Sequence, residues 1–250
     1  MATIFESMES RLLREYFGED GEARRDAERR LAAHEPLAYI LGETVFFRES
    51  YFVTPDVLIP RPDTERLVEE VIRDLPRGGR FLDLCTGSGC VAISALCARP
   101  DATAVAVDLS EKALTVARKN AVRNRVEDRV TFLSDDILRQ KKPLSGFDLI
   151  VSNPPYVKSD VVDTLEEECR REPRMAFDGG ADGMRFYEAI LRDYRSALRA
   201  GGKYRFLFEI GYDQKNEILA LAALFGYSCE IKKDYGGNDR VAILTEEEKT

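Results

Sequence analysis

The chain has 250 residues and a formal net charge of −8 at pH 7, with 37 Lys and Arg side chains against 45 Asp and Glu. An acidic balance without a basic block argues against direct nucleic-acid binding, and a single histidine argues against a histidine metal cage or Ser-His-Asp chemistry. The length fits one large domain, or one domain with a small appendage.

Residues 1–35 predict a small helical segment. Its apolar residues share one helical face before a break at Gly18 to Gly21, and they are Ile4, Phe5, Met8, Leu12, Leu13, Tyr16 and Phe17. The charged stretch from Glu22 to His34 predicts a second, more exposed helix with a solvated His34. The sequence contains neither a signal-peptide core nor an apolar run of ~18 residues, so we expect a cytoplasmic protein without a membrane span.

The cysteines are five in number and lack CxxC spacing; they are Cys85, Cys90, Cys97, Cys169 and Cys229. An odd count without paired spacing predicts buried free thiols in a reducing compartment. It predicts neither a disulfide framework nor a metal site.

Residues 36–78 predict a linking region made of a hairpin and a helix. The aromatic and β-branched stretch from Glu43 to Val53 is typical of a short β-hairpin. In LIPRPDTE two prolines fix an extended turn, after which Asp63 or Thr64 is expected to cap a helix that runs to about Leu75.

Residues 79–250 predict a doubly wound α/β domain, because strand-like and helical stretches alternate and several strands are almost continuously apolar. The predicted strands are Arg80–Cys85, Thr103–Val107, Arg129–Leu133, Phe147–Ser152, Lys203–Ile210, Tyr227–Lys232 and Arg240–Leu244. The predicted helices are Gly89–Arg99, Glu111–Asn124, Gly183–Arg199 and Gln214–Phe225. The last two strands follow each other closely and predict an antiparallel edge pair.

A glycine loop follows the first predicted strand, and ligands of such sheets bind beyond the carboxyl ends of the strands. The loop consists of Cys85, Thr86, Gly87, Ser88 and Gly89. Its two glycines permit a sharp turn and close packing of a ligand, and the following helix offers free N–H groups to an anionic part of that ligand. A structural turn explains such a loop equally well when it is considered alone.

Acidic residues follow the next two strands. Asp108 can accept hydrogen bonds from two ribose hydroxyls, and Asp135 with Asp136 can bracket an adenine edge. The loop also satisfies G-x-G-x-x-G/A, with Asp108 near the distance of a dinucleotide ribose contact. The loop and Asp108 therefore fit both S-adenosylmethionine and a nicotinamide cofactor.

Asn153-Pro154-Pro155-Tyr156 follows the fourth strand and favours a methyl acceptor with a planar NH2 group. The Asn153 amide oxygen and the Pro154 carbonyl can each accept one N–H, and Tyr156 offers a flat face. Two acceptors localise charge on a weakly nucleophilic nitrogen. Holding that nitrogen in line with the sulfonium methyl then promotes methyl transfer without a strong base. We therefore predict Asn153, Pro154 and Tyr156 as catalytic residues, and all four as substrate-binding residues.

The motifs together resemble the N5-glutamine methyltransferases that modify peptide-chain release factors. They are PLAYILG (36–42), LIPRPDTE (58–65), DLCTGSG (83–89), AVD (106–108), SNPPY (152–156) and DYGGNDRV (234–241). NPPY alone is shared with methyltransferases that act on DNA or RNA amino groups, whereas IPRPDTE joined to NPPY is more specific.

The resemblance implies a class I, Rossmann-like methyltransferase with a seven-stranded, mostly parallel sheet, preceded by a small helical segment and a hairpin. It implies S-adenosylmethionine, converted to S-adenosylhomocysteine, bound by Cys85 to Gly89, Asp108, the Asp135-Asp136 corner and Asn153. It also implies a release factor as substrate, whose glutamine lies in a Gly-Gly-Gln loop and is held by Asn153 to Tyr156. The Pro60–Glu65 segment is expected to help close the pocket, and the protein is expected to act as a monomer.

Two departures from the family pattern stand out. Cys85 replaces the usual first glycine of the loop, and it must keep a negative φ or carry strain. Only about 35 residues precede PLAYILG, fewer than in the family's usual N-terminal helical domain, so we expect a reduced N-terminal segment.

Three alternatives remain at this point. They are methylation of DNA or RNA amino groups, a nicotinamide-dependent oxidoreductase, and a cofactor-binding protein without turnover. The acidic run at 166–172 is interpreted as an exposed helix, Glu209 is not assigned to the site, and Phe206, Phe208 and Phe225 are interpreted as core residues.

Overall fold

The computed structural model describes residues 8–19, 21–139, 142–200 and 205–246. Ile4 and Phe5 of the predicted first helix, and the first two residues of the predicted strand at 203–210, lie outside these ranges. The helices of the described ranges are α1 Met8–Phe17, α2 Glu22–Ala32, α3 Leu37–Leu41, α4 Glu65–Asp74, α5 Cys90–Ala98, α6 Glu111–Arg123, α7 Ser159–Val162, α8 Arg185–Asp193 and α9 Lys215–Leu224. The strands are β1 Glu43–Phe46, β2 Glu49–Phe52, β3 Arg80–Leu84, β4 Thr103–Asp108, β5 Val130–Ser134, β6 Leu149–Ser152, β7 Arg205–Glu209, β8 Tyr227–Lys233 and β9 Asp239–Glu246.

β3 to β9 form one sheet, which in the described part of the chain has seven strands in the order β5-β4-β3-β6-β7-β9-β8. β5, β4, β3, β6 and β7 run parallel, and β9 runs antiparallel to both β7 and β8. The predicted α/β class and the antiparallel edge pair are confirmed. The chain proceeds outward from β3 to β5 and then returns to the other side of β3 as β6, so a crevice opens between the carboxyl ends of β3 and β6.

Successive residues of a strand belong in turn to two buried clusters, one on each face of the sheet. In β6, Leu149 and Val151 join the cluster that contains residues of α4 and α5, whereas Ile150 joins the cluster with residues of α8 and α9. This period of two is the pattern of a strand that is covered on both faces. Phe206 and Phe208 lie in the second cluster and Phe225 packs against it, as predicted.

The N-terminal helices pack on one another, and the hairpin is joined to the sheet domain through α6. Leu13, Ala27 and Ile40 bury a small cluster between α1, α2 and α3. At the hairpin β1–β2, the Asn120 amide of α6 accepts from the Phe52 N–H at 2.7 Å and donates to the Ser88 carbonyl at 2.9 Å. Asn120 thereby joins the hairpin to the glycine loop.

Several local predictions need correction. The predicted helix at 183–199 is α8 followed by a separate 3-10 turn at Arg195–Ala197. Thr64 stands at the N-cap of α4 but makes no side-chain capping bond, because its hydroxyl is used at the site described below. His34 lies beyond the end of α2, with a φ of 58° and an exposed side chain. All five cysteines are free and half-buried.

Within the described ranges, no helix combines the length and the apolar character needed to cross a membrane.

Candidate active site

A cavity of about 600 Å³ opens at the carboxyl ends of β3, β4 and β6. This volume is in the range of small-molecule and cofactor sites. Six of the predicted site residues line it: Cys85, Gly87, Asp108, Asp136, Asn153 and Pro155. A smaller cavity beside it shares Cys85, Gly87 and Asn153 and adds Thr86 and Ser88. Asn153 therefore lies where the two cavities meet.

The two glycines of the loop are needed for different reasons. Gly87 has a φ of 55°, and a Cβ atom there would meet nothing within 4 Å, so the backbone conformation alone favours glycine. Gly89, with a φ of 82°, stands at the N-cap of α5, where a Cβ atom would lie 2.9 Å from Ile93 Cδ1 and 3.2 Å from Ala117 Cβ. Gly89 thus lets α5 pack closely on α6, and Gly87 shapes the wall of the cavity.

Cys85 adopts the left-handed conformation, with a φ of 59°. Of the two expected alternatives, a negative φ or strain, the structure shows the strained one. The side chain packs against the buried cluster on the α8 side of the sheet, and burial raises the pKa of its thiol well above the ordinary value. Cys85 is therefore a neutral packing group on the cavity wall.

Asp108 holds the backbone of the glycine loop and also lines the cavity. Its carboxylate accepts from the Gly87 N–H at 2.8 Å and from the Ser110 N–H at 2.9 Å, and it lines the cavity. Burial raises its pKa, while these backbone bonds oppose the rise. Because each carboxylate oxygen has a second lone pair, acceptor capacity remains for a ligand hydroxyl.

The two aspartates after β5 do not share one role in the structure. Asp136 lines the cavity. The Asp135 carboxylate accepts from the backbone N–H groups of Asp136, at 2.9 Å, and of Lys142, at 3.0 Å, so it organises its own loop.

The Asn153–Tyr156 segment is clamped by a glycine-containing stretch that was not assigned to the site from the sequence. Val157 pairs with this stretch through the Phe177 carbonyl and the Gly179 N–H, each at 2.8 Å. A Cβ atom at Gly179 would lie 2.7 Å from the Pro155 carbonyl, and one at Gly183 would overlap the Tyr156 carbonyl. The run DGGADG at 178–183 was the available signal for so close a backbone contact.

Asn153 is oriented by a residue 89 positions away in the chain. Its Nδ2 donates to Thr64 Oγ1 at 3.2 Å, which leaves Oδ1 as the amide atom available to the cavity. The Tyr156 carbonyl, by contrast, accepts from Gln214 Nε2 at 2.9 Å.

Glu209, at the end of β7, was not assigned to the site from the sequence, and it is a buried neighbour of Tyr156 and Arg240. Glu209 is 2% exposed, and among the described residues its Oε2 has no hydrogen-bond partner. Burial raises the pKa of Glu209 to about 7, and it also raises the pKa of the Tyr156 phenol. The charge of Glu209 adds to the rise at Tyr156, so the two side chains are electrostatic neighbours.

The proline segment at 58–64 is held in place by Glu172. The Glu172 carboxylate accepts from the Ile59 N–H at 2.9 Å and pairs with Arg61. Glu172 is buried, and burial raises its pKa. The prediction that the acidic run at 166–172 forms an exposed helix was wrong: only a 3-10 turn at Cys169–Arg171 forms, and the glutamate that follows it points inward.

Arg240, the last residue of the DYGGNDR stretch at 234–240, is a buried side chain that joins several parts of the chain. It is 7% exposed, and it pairs with Asp234 and Asp63, each at 3.2 Å. It also donates to the Ile210 carbonyl. The guanidinium therefore ties β9 to the turn before α4, next to Glu209 and Tyr156.

Comparison of the sequence and fold with known proteins shows similarity to methyltransferases. Residues 62–169 match the family model of the methyltransferase small domain. The chain is 40% identical to the release factor glutamine methyltransferase of Caulobacter vibrioides over 86% of this chain and 74% of that protein. It is equally identical to the one of Geobacter sulfurreducens, over 85% and 74%. In fold it is similar to a methyltransferase of Pyrococcus furiosus, with a TM-score of 0.58, 21% identity and coverage of 88% and 97%.

Proposed function

Because this chain belongs to the release factor glutamine methyltransferase family, we propose that it methylates the side-chain amide nitrogen of the glutamine in the Gly-Gly-Gln loop of a peptide-chain release factor. The observation that carries the proposal is the position of Asn153. It follows β6 directly, lines both cavities and has its amide oxygen left for a substrate.

The donor in this proposal is S-adenosylmethionine, in keeping with the methyltransferase family and fold. The residues present fit it. The glycine loop allows close approach of the amino-acid end, the Asp108 carboxylate retains acceptor capacity for ribose hydroxyls, and Asp136 lies beyond Asp108 on the cavity wall. When bound, the donor supplies an electrophilic methyl group on a sulfonium and leaves as S-adenosylhomocysteine.

The acceptor is held by Asn153 and Pro154 in this proposal. The Asn153 amide oxygen and the Pro154 carbonyl each accept one hydrogen of the glutamine amide, which concentrates charge on its nitrogen. The clamped Pro155–Tyr156 backbone keeps these acceptors fixed, so the nitrogen is presented in one orientation. The amide proton becomes acidic as the new N–C bond forms, so solvent water takes it up and no strong base is needed.

The smaller cavity beside the glycine loop, which Asn153 lines, would receive a single side chain carried on a loop. Glycine neighbours let a glutamine enter without steric conflict, which suits the Gly-Gly-Gln sequence. We propose further that the protein acts on the release factor as a monomer in the cytoplasm, without contacting nucleic acid directly, in keeping with its net charge of −8.

The experiment is incubation of a release factor with methyl-labelled S-adenosylmethionine, alongside its variant in which the Gly-Gly-Gln glutamine is changed to alanine. We expect label on the unchanged factor and none on the variant. Equal label on both would contradict the proposed acceptor.

A further inference from the structure

Three segments of the chain line the smaller cavity, which is called the acceptor cavity below because the proposed function places the glutamine in it. The glycine loop and Asn153 contribute two of them, and both follow strands of the large sheet. The third is the proline segment at 58–64, which contributes Leu58, Pro60, Arg61 and Thr64. It lies between β2 and α4 and belongs to neither sheet of the described part of the chain, so its position depends on other contacts.

The prolines leave this segment few backbone groups by which it can be held. Pro60 and Pro62 have no N–H group. Among the described residues, the N–H of Ile59 is the only one from positions 58–62 with a hydrogen-bond partner, and that partner is the Glu172 carboxylate, whose Oε2 lies 2.9 Å away. Ile59 is 8% exposed, so without Glu172 this N–H would be buried with no acceptor.

The second carboxylate oxygen of Glu172 pairs with Arg61. Glu172 Oε1 accepts from Arg61 Nη2. The Glu172 side chain is 2% exposed, whereas that of Arg61 is 36% exposed, so the carboxylate is the buried partner and the guanidinium reaches in to it. A buried carboxylate that lost this partner would be an uncompensated charge. One side chain therefore holds both a backbone group and a charged group of the proline segment.

Glu172 also begins the stretch that clamps the Asn153–Tyr156 segment. Residues 173–176 follow it directly and line the larger cavity. The same stretch then pairs with the backbone that follows Tyr156, and a Cβ atom at Gly179 would lie 2.7 Å from the Pro155 carbonyl. The contacts with the proline segment and with the Asn153–Tyr156 segment are therefore made by one short run of the chain.

We propose that Glu172 is a positioning residue for methyl transfer, which fixes Leu58–Arg61 relative to Asn153 and thereby sets the shape of the acceptor cavity. Its catalytic part rests on the proposed function, which places the glutamine in that cavity. Its structural part, that Glu172 holds the proline segment, concerns the protein alone.

The expected effect on catalysis follows from the orientation of the acceptor. Asn153 and Pro154 hold only the NH2 end of the glutamine amide, and the remaining walls of the cavity confine the rest of the side chain. If the proline segment is loosened, the amide can turn away from the donor methyl, and such misplacement lowers the rate of transfer. The donor is affected less, because of this segment only Leu58 lines the larger cavity.

Two variants break the ion pair from its two sides. Glu172→Gln keeps an oxygen for the Ile59 N–H but removes the charge that pairs with Arg61, and Arg61→Met leaves the buried carboxylate without its partner. Each should lower kcat/KM for the release factor by about 10- to 100-fold, with S-adenosylmethionine affinity little changed. The double variant should lose no more than the worse single variant, because both changes break one contact. Multiplying losses, unchanged kcat/KM in Glu172→Gln, or an equal loss of donor affinity would overturn the inference.

Asp101→Asn is the matched control. The Asp101 carboxylate accepts from the Gly78 N–H at 2.6 Å and pairs with Arg99 at 3.0 Å, so it makes the same two kinds of bond as Glu172. Gly78 precedes β3 and Asp101 precedes β4, so these bonds lie at the amino ends of the strands, away from the cavities. Asp101→Asn should leave kcat and KM unchanged. An equal loss of activity in Asp101→Asn and Glu172→Gln would assign the effect to general destabilisation and would overturn the inference.

A measurement without substrate separates this inference from the proposed function. Hydrogen exchange of the Ile59 N–H, followed by NMR, should be at least about 10-fold faster in Glu172→Ala, which removes its acceptor. The N–H of Leu82 on β3 reports opening of the sheet and should be affected far less. Unchanged exchange of Ile59, or equal acceleration at Ile59 and Leu82, would overturn the inference even if the glutamine is methylated. If no glutamine is methylated, the proposed function fails, while the exchange of Ile59 still decides what holds the proline segment.

Discussion

Cys85 is the residue at which backbone conformation and side-chain packing oppose each other. Its φ of 59° lies in the left-handed region, which costs a residue with a Cβ atom roughly 1–2 kcal/mol. Its side chain nevertheless packs against the buried cluster on the α8 side of the sheet. The stability of the loop therefore reflects a strained backbone that is offset by burial.

Two substitutions at Cys85 separate these contributions. Cys85→Ala and Cys85→Gly both remove the sulfur atom, but only glycine relieves the left-handed strain. We expect the free energy of unfolding of Cys85→Gly to exceed that of Cys85→Ala by about 1 kcal/mol, as measured by urea denaturation. Equal stability, or a more stable alanine variant, would show that the φ of 59° carries no strain.

At the scale of elements, the sequence predicted the strands and helices well because each had its own local pattern. Apolar runs located β3, β4 and β6, and the polar residues that follow these strands meet at one cavity. The partners of those residues could not be located in the same way. Thr64 and Asn153 are 89 positions apart, and Glu209 and Glu172 lie in stretches whose patterns indicate only a buried strand and a charged surface.

The stretch at 177–183 supports the Asn153–Tyr156 segment through its backbone, so a methyl group added there should be costly. Gly183 has a φ of 77°, and its Cβ would overlap the Tyr156 carbonyl and lie 2.6 Å from Gln214 Nε2. Gly226 has a similar φ of 75° with nothing within 4 Å of its Cβ position.

Alanine at these two glycines distinguishes strain from steric overlap. Gly226→Ala should cost only about 1 kcal/mol for its left-handed φ. Gly183→Ala should cost about 2 kcal/mol or more, because overpacking adds to the strain, and it should lower methyl transfer by displacing Tyr156. Thermal or urea unfolding of both variants, followed by the methylation assay, checks this. Equal losses of stability would mean that the 177–183 stretch gives way without disturbing the site.

At the scale of the whole molecule, the site depends on the complete order of the sheet. The glycine loop and Asn153 follow β3 and β6, Asp108 and Glu209 are the last residues of β4 and β7, and Arg240 lies on β9. Residues from the turn before α4 close the same region. The carboxyl edge of the sheet thus collects residues from widely separated parts of the sequence.

The chemistry expected at that edge explains why a chain with a single histidine is compatible with catalysis. Two acceptors, one amide oxygen and one backbone carbonyl, suffice to orient and activate a carboxamide. The glycine loop alone fitted a nicotinamide cofactor equally well, and membership of the methyltransferase family decides between these two. The net charge of −8 favours a protein acceptor over a nucleic acid.

Tandem mass spectrometry of a release factor after incubation with S-adenosylmethionine tests the central claim most directly. We expect one added methyl group, located on the side-chain nitrogen of the Gly-Gly-Gln glutamine, with the Asn153→Ala variant nearly inactive although it still binds the donor. A methyl group on any other residue, an unmodified release factor, or full activity of Asn153→Ala would contradict it.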